Sequence, residues 1–466
     1  MKLIRKLSLI LSVILLAQLL CFVSSADDAA FDVSVTSGCR GIDSRVPYLG
    51  TANKIENAQA AFMLEANTDT LMYAQNADQQ LHPAGLVKIM TALVAIEQGT
   101  LTDVVTVNES VLSSVSSDAR TSKLQVDEVF TVEQLLYCVM VEGSNDGAAV
   151  LADHVAGSQE EFVSLMNARA QEIGCTNTVF TNVHGLHDPN QLTTARDVAR
   201  ILDTAIENEL FRTLFGTTHY TVEATNKSEE RNLESSNHMM HKEMYEIYID
   251  ERITGGRTGV NNTGLRCIAT ISKQHDMELI CVIMGSKSKI NDRGIVEKIG
   301  GFTETTDLLN IGYKNTKTAQ ILYDGQALKQ YSVRDGSANA VVCSSQNIST
   351  VVPSDATAAS FEFRYREQPD AFVAPLQAGQ YVADVEIWIG SICVAQAKLY
   401  AMGDVDVSYK QIIRKDEKGL SVFAVILIVI LSIVVISTAV LFIVRLLNIR
   451  KRNVIKKQRH RRKREF

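Results

Sequence analysis

The chain opens with three basic residues, Lys2, Arg5 and Lys6, then an unbroken apolar run from Leu7 to Val23 and a small-residue exit at Ser24-Ser25-Ala26. That succession predicts a secretory signal peptide over 1–26, cut after Ala26. The competing reading, an uncleaved anchor, is disfavoured by the small residues at the exit. A second apolar run, Leu420 to Val444, holds 25 residues without a charge. As a helix rising ~1.5 Å per residue it would span ~37 Å, more than the ~30 Å of a hydrocarbon layer. Its length and the basic residues beyond it argue against a buried core helix. The pattern predicts a transmembrane helix over 420–444 and, by the positive-inside rule, a basic cytoplasmic tail over 445–466. The basic tail would also attract anionic lipid.

Between these segments the periodicity changes twice. Residues 27–51 form a polar lead-in. Ala60 to Tyr73 predicts two strands around a turn at Glu65–Thr70. Leu86 to Gln98 has apolar residues at helical spacing and stops at Gly99, expected as a left-handed terminator. Thr131-x-x-Gln134 predicts a capping box opening a helix through Met140, and Ser158-x-x-Glu161 a second, with its helix closing at Gly174. Thr194 to Leu202 and beyond is a further helix. Leu265–Ser272 and Glu278–Met284 predict a hairpin around Lys273–Asp276. From Ala319 to Val407 short alternating strands run on without a helix. The expected organisation is a mixed α/β domain over 52–312, a β-rich domain over 313–410 and then the membrane helix. No internal repeat is visible.

Composition narrows the function classes. With 466 residues, 46% of them hydrophobic, and only 6 prolines, the chain can bury cores and is not a disordered polymer. Its formal charge of −7 conceals an asymmetry: residues 1–26 carry +3, residues 445–466 carry +10, and the body between carries −20. Such a body lacks the clustered cations that phosphate binding needs, so nucleic acid is excluded as a partner. Of 8 cysteines, Cys21 leaves with the signal peptide. The seven others are widely spaced and contain no C-x-x-C, which argues against a disulfide framework or a zinc site and leaves room for one disulfide. Cys138, Cys267 and Cys281 lie in apolar runs, as small buried hydrophobes do. His238 and His241 stand at i and i+3, but without a third ligand nearby they are expected as an exposed or loop pair. Neither a metal nor a cofactor is expected. The triplets headed by Asn108, Asn226, Asn261 and Asn347 would matter only in a eukaryotic secretory route.

Four segments then carry a resemblance. They are Ala61-Phe62-Met63-Leu64-Glu65; His82-Pro83-Ala84-Gly85-Leu86-Val87-Lys88; His184-Gly185-Leu186-His187-Asp188-Pro189-Asn190; and Gly255-Gly256-Arg257-Thr258-Gly259 with the hairpin after it. Together, over roughly residues 52–310, the chain resembles the D-alanyl-D-alanine carboxypeptidases, the low-molecular-mass penicillin-binding proteins. The resemblance implies an α+β, β-lactamase/D,D-peptidase-like domain with a central antiparallel sheet flanked by helices, and the β-rich segment suits the family's second domain. It also implies three motifs, S-x-x-K, S-x-N and K-T-G. In that scheme a helix-opening serine attacks the D-Ala-D-Ala carbonyl, a lysine one turn later takes its proton, and the second serine relays protons. The asparagine binds the substrate amide, and the K-T-G strand holds the terminal carboxylate and backs the oxyanion site.

This chain departs from all three motifs. Gly85 stands at the nucleophile position, with Lys88 retained as the base. Gly143 stands at the S-x-N serine, with Asn145 retained. Arg257 stands at the K-T-G lysine, with Thr258 and Gly259 retained. Glycine offers no nucleophile, whereas an arginine still suits a carboxylate. Rescue by Ser144 or by Ser286-x-x-Lys289 is disfavoured, the first by side-chain direction and the second by its place at a hairpin end. If Gly85 alone blocks chemistry, Gly85→Ser is expected to restore acylation; if Gly143 matters too, only the double replacement will. Three functions follow from these residues. The favoured one is a catalytically impaired, membrane-anchored binder of peptidoglycan stem peptides through Lys88, Asn145, Arg257, Thr258 and Gly259. The others are an active carboxypeptidase with a non-standard nucleophile and a structural protein that binds envelope proteins. A β-lactamase shares the fold but fits the anchor and β-rich domain less well. In each case the body is extracytoplasmic and tethered to the cell membrane by a single pass.

Overall fold

The structure, a computed structural model, describes residues 42–44, 47–49, 54–241, 246–293, 296–408 and 422–462. The expected signal peptide and most of the lead-in lie outside the described residues. The described residues divide into two compact units, one of those up to 321 with 348–364 and 385–397, the other of 322–347, 365–384 and those from 398 on.

The first unit is built on a five-stranded antiparallel sheet. Its strands are β1 (Ala60–Glu65), β2 (Thr70–Gln75), β3 (Ile253–Val260), β4 (Arg266–Gln274) and β5 (Met277–Ser286), ordered β2-β1-β5-β4-β3. Inner strands β1 and β5 are buried along their whole length, which is why they spell near-continuous apolar runs. β4 and β5 are the predicted hairpin, closed by a tight turn in which His275 takes φ 54°.

The longer described helices of this unit are α1 (Val87–Gln98), α2 (Val132–Tyr137), α3 (Asn145–Ala156), α4 (Gln159–Glu172), α5 (Ala195–Ala205), α6 (Glu209–Gly216) and α7 (Phe302–Asn315). Every residue of α1 from Val87 to Ala95 is buried, so it runs through the core rather than over it. The Thr131 capping box is complete, and Ser158 caps α4 by accepting from the Glu161 amide at 3.1 Å. Two expectations are corrected. Gly99 ends α1 in extended backbone (φ −91°, ψ 163°), with its N–H still bonded to Ala95, so no left-handed residue is needed there. The helix after Thr131 stops at Tyr137 and continues as a wide π turn over Cys138–Glu142. Helices α6 and α7 were not foreseen.

Beyond α7 the chain forms β6 (Thr316–Leu322), β7 (Ala327–Ser332), β8 (Asn339–Ser344), β9 (Ile348–Pro353), β10 (Phe361–Glu367), β11 (Tyr381–Ile389) and β12 (Ile392–Ala401). β6 pairs with β9, and the others form a sheet ordered β7-β8-β12-β11-β10. The α+β class, the β-rich segment and one long apolar C-terminal helix therefore match expectation. That helix, α8 (Val422–Arg462), includes an apolar stretch at Ile426–Arg450 in which an 18-residue window reaches a mean hydropathy of 3.2 with none of that window buried. Cys138, Cys175, Cys267 and Cys281 are free and buried, and Cys393 is disulfide-bonded.

Candidate active site

Three elements converge at the start of α1. A 3₁₀ turn over Ala84–Leu86 delivers Gly85 and then Lys88 on the first turn of the buried helix. The π turn ends at Gly143 (φ 84°) and hands over to α3, whose first residue is Asn145. Edge strand β3 brings Arg257, Thr258 and Gly259 alongside.

Lys88 is 2% exposed; its ammonium nitrogen donates to Asn145 Oδ1 at 2.6 Å and to the His184 carbonyl. Burial, then the charges of Arg257 and Arg120, push this amine well below the usual lysine value, and Asp146 pulls it partly back. The His184 ring is pushed down to about 4 by burial and by Lys88.

The two positions that lack serine are closed in different ways. At Gly85, a Cβ would stand 2.8 Å from the Thr258 carbonyl oxygen and 3.2 Å from Gly259 Cα, so the β3 backbone already occupies that space. At Gly143, a Cβ would overlap the Arg257 guanidinium, with Cζ only 2.9 Å away. That guanidinium is 4% exposed and donates from Nη1 to the carbonyls of Met140 at 3.1 Å and Val141 at 3.5 Å, while its Nε has no partner. Burial and the Arg120 charge bring its pKa down to about 9.

Neighbouring serines are committed elsewhere. Ser144, fully buried, caps α3 by accepting from the Gly147 amide at 2.9 Å and donates to the Asp146 carboxylate. Asp146 in turn accepts from the Ser122 and Leu124 amides at 3.0 Å, fastening the 116–124 loop to α3. Ser236 Oγ lies 2.9 Å from Thr258 Oγ1. Ser286 is buried at the end of β5, whereas the Lys289 side chain is 69% exposed on a separate short strand, so they form no helical dyad.

All seven residues singled out in the sequence thus meet at one place. Sequence reasoning missed the Met140 and Val141 carbonyls, because the π turn that frees them leaves no apolar signature, and it missed Arg120 and Ser236, which no motif marks. An open cleft of about 410 Å³ lies alongside, lined by His82, Ala84, Ser116, His187, Gln191 and Asn261 among others. The His82 and His187 rings meet edge to face at 4.7 Å, and His82 Nδ1 sits 3.1 Å from the Gln191 carbonyl. Among the described residues no three His, Cys, Asp or Glu side chains come together to hold a metal ion. His241 is buried, not exposed, with its ring 4.3 Å from that of His219.

Comparison with known proteins matches residues 50–288 to a family model described as D-alanyl-D-alanine carboxypeptidase, and residues 317–407 to one described as the penicillin-binding protein 5 C-terminal domain. The chain is 28% identical over 356 residues to D-alanyl-D-alanine carboxypeptidase DacA of Haemophilus influenzae, spanning 75% of this chain and 85% of that protein. It is 27% identical over 358 residues to DacC of Escherichia coli, spanning 75% and 84%. Among solved structures, penicillin binding protein 5 from Haemophilus influenzae superposes with a TM-score of 0.63 at 27% identity, over 77% of this chain and 100% of that one.

Proposed function

From the premise that the chain belongs to the D-alanyl-D-alanine carboxypeptidase family, whose members act on peptidoglycan, we propose that it is a catalytically silent member that binds stem peptides without cutting them. Lys88, Asn145, Arg257, Thr258 and Gly259 are the groups that meet the peptide. The body over 52–312 and 313–410 is held outside the membrane by a single helix at 420–444, with the basic tail at 445–466 in the cytoplasm.

One observation carries this reading. The position that should present the nucleophile is Gly85, and the space a side chain would use is filled by the Thr258 carbonyl. A proton acceptor remains in Lys88, whose depressed pKa leaves it a competent base, but it has nothing to deprotonate: Ser144 is spent as a helix cap. Losing a nucleophile removes most of an acyl-transfer enzyme's rate, and the residue left by binding and oxyanion stabilisation is only ~10³–10⁴ over water. The long apolar stretch at Ile426–Arg450 supports the anchor.

The test uses the full-length protein in detergent. After incubation with a penicillin its intact mass should be unchanged, and with an N-acylated D-Ala-D-Ala peptide it should bind without releasing D-alanine. A stoichiometric acyl adduct, or steady D-alanine release, would overturn the proposal.

A further inference from the structure

Arg257 is oddly placed for a residue that grips a carboxylate. Its guanidinium is buried, yet among the described residues no carboxylate pairs with it; its partners there are two backbone carbonyls, and its Nε has none. Among the described residues, the charges that bear on it and on neighbouring Lys88 are mostly cations: Arg120 acts on both, and Asp146 is the one anion acting on Lys88. A strong base does not gain from such surroundings electrostatically. What it gains is volume, since the guanidinium fits where Gly143 lacks a side chain and would overlap any Cβ placed there.

From this packing we propose that Arg257 is a specificity-determining plug: it closes the stem-peptide groove from within, and a ligand must displace it to enter. The proposal rests on the reading above that the groove receives stem peptides. Gly143 and Arg257 are then one coupled feature, the glycine making the room that the arginine fills. Lys88, Asn145, Arg257 and Thr258 are each 6% exposed or less, as a plugged groove requires. A ligand that ends in a carboxylate supplies the counter-charge that the buried guanidinium lacks, so it has a means of drawing the plug out. A lysine at 257 keeps a cation on β3 but lacks the planar fork that fills the Gly143 space.

Two measurements test this separately from the function it refines. In calorimetric titration of the full-length protein with an N-acylated D-Ala-D-Ala peptide, Arg257→Lys is expected to bind at least tenfold more tightly than wild type. Wild-type binding with equal or weaker binding by Arg257→Lys would show a grip and overturn the plug. If neither binds, the stem-peptide reading fails, and the plug is judged by stability alone. For that, the urea midpoint is followed for Gly143→Ala in the wild-type and Arg257→Lys backgrounds. The left-handed backbone at 143 penalises alanine equally in both, so only the guanidinium distinguishes them. The loss is expected to be severalfold larger with Arg257 present, or to abolish folding only there. Equal losses, or failure to fold in both backgrounds, would overturn the plug.

Discussion

Replacing Gly85 by serine restores the missing nucleophile on paper, and the structure predicts that it does not restore acylation. A Cβ at 85 would lie 2.8 Å from the Thr258 carbonyl oxygen, against about 3.4 Å for an ordinary contact, so the β3 backbone must retreat by roughly 0.6 Å. The obstacle is the backbone of a strand paired in the sheet, with Thr258 opposite Ile268, and cannot rotate aside as a side chain would. Overpacking of this kind costs about 1–3 kcal/mol. Replacing a glycine also stiffens the unfolded chain, which returns about 0.4–1 kcal/mol. The net expectation is a destabilisation of about 1–2 kcal/mol, with the hydroxyl pressed against β3 rather than facing a substrate. The assay is intact mass after incubation with a penicillin, run on Gly85→Ser, Gly85→Ser/Gly143→Ser and the triple variant that adds Arg257→Lys, with urea midpoints for each. No adduct is expected for the single variant. The double variant should be the least stable, because its second serine meets the guanidinium. The triple should regain stability over the double, and with the Thr258 carbonyl still against position 85 it is expected to form no adduct either. Full and rapid acylation of Gly85→Ser alone, with an unchanged midpoint, would refute the reasoning, because the groove would then be open.

Other tests reach different parts of the unit. His184 titrates at about 4 when folded and near 6.5 when unfolded; as pH falls through that window the unfolded chain takes up the proton first, so stability should drop by up to about 3 kcal/mol and His184→Asn should flatten the slope. A pH-independent urea midpoint between 6.5 and 4 would contradict this. Lys88 follows the same sign at higher pH: stability should rise as pH climbs toward the ordinary lysine value, and Lys88→Met should remove that rise. Arg231→Met leaves the fully buried Glu128 carboxylate without its 2.7 Å ion-pair partner and should cost about 3–5 kcal/mol, whereas a loss below 1 kcal/mol would mean that the Thr225 and Gln125 donors suffice. Burial pushes the Cys138, Cys175 and Cys281 thiols up to about 12 and Cys267 to about 11, so under native conditions at pH 8 a maleimide should label half-buried Cys343 before any of the four.

How far the sequence led depended on what each element encodes locally. β1 and β5 spell their burial in consecutive apolar residues, and the caps at Thr131 and Ser158 announce their helices through two residues each. The seven candidate residues could be picked out because they sit in short motifs whose spacing survives substitution: Lys88 still follows position 85 by one helical turn. What the motifs could not convey is distance between segments far apart in the chain. That the Thr258 carbonyl abuts Gly85 depends on the placement of β3 against a turn more than 170 residues earlier, and no composition rule encodes it. The guanidinium at 257 read as a retained carboxylate grip, since arginine is the natural partner of a carboxylate. The π turn at Cys138–Glu142 changes its company, because a wide turn exposes carbonyls that an α-helix would have used. Gly99 was misjudged for a simpler reason: a glycine after a helix need not be left-handed when the chain leaves in extended backbone.

The contact between Gly85 and the Thr258 carbonyl also bears on reversibility. A single exchange from glycine back to serine would ordinarily be a short step for a gene to take. Here that step leads first to a less stable protein with no compensating activity, because the strand stands in the vacated space and a second position is filled by the guanidinium. On the same packing, recovery of hydrolysis would need several exchanges at once, with those at 85 and 143 unfavourable alone. On the proposed reading of a silent member, the fold works as a ratchet, in which that state is held by packing as much as by missing chemistry.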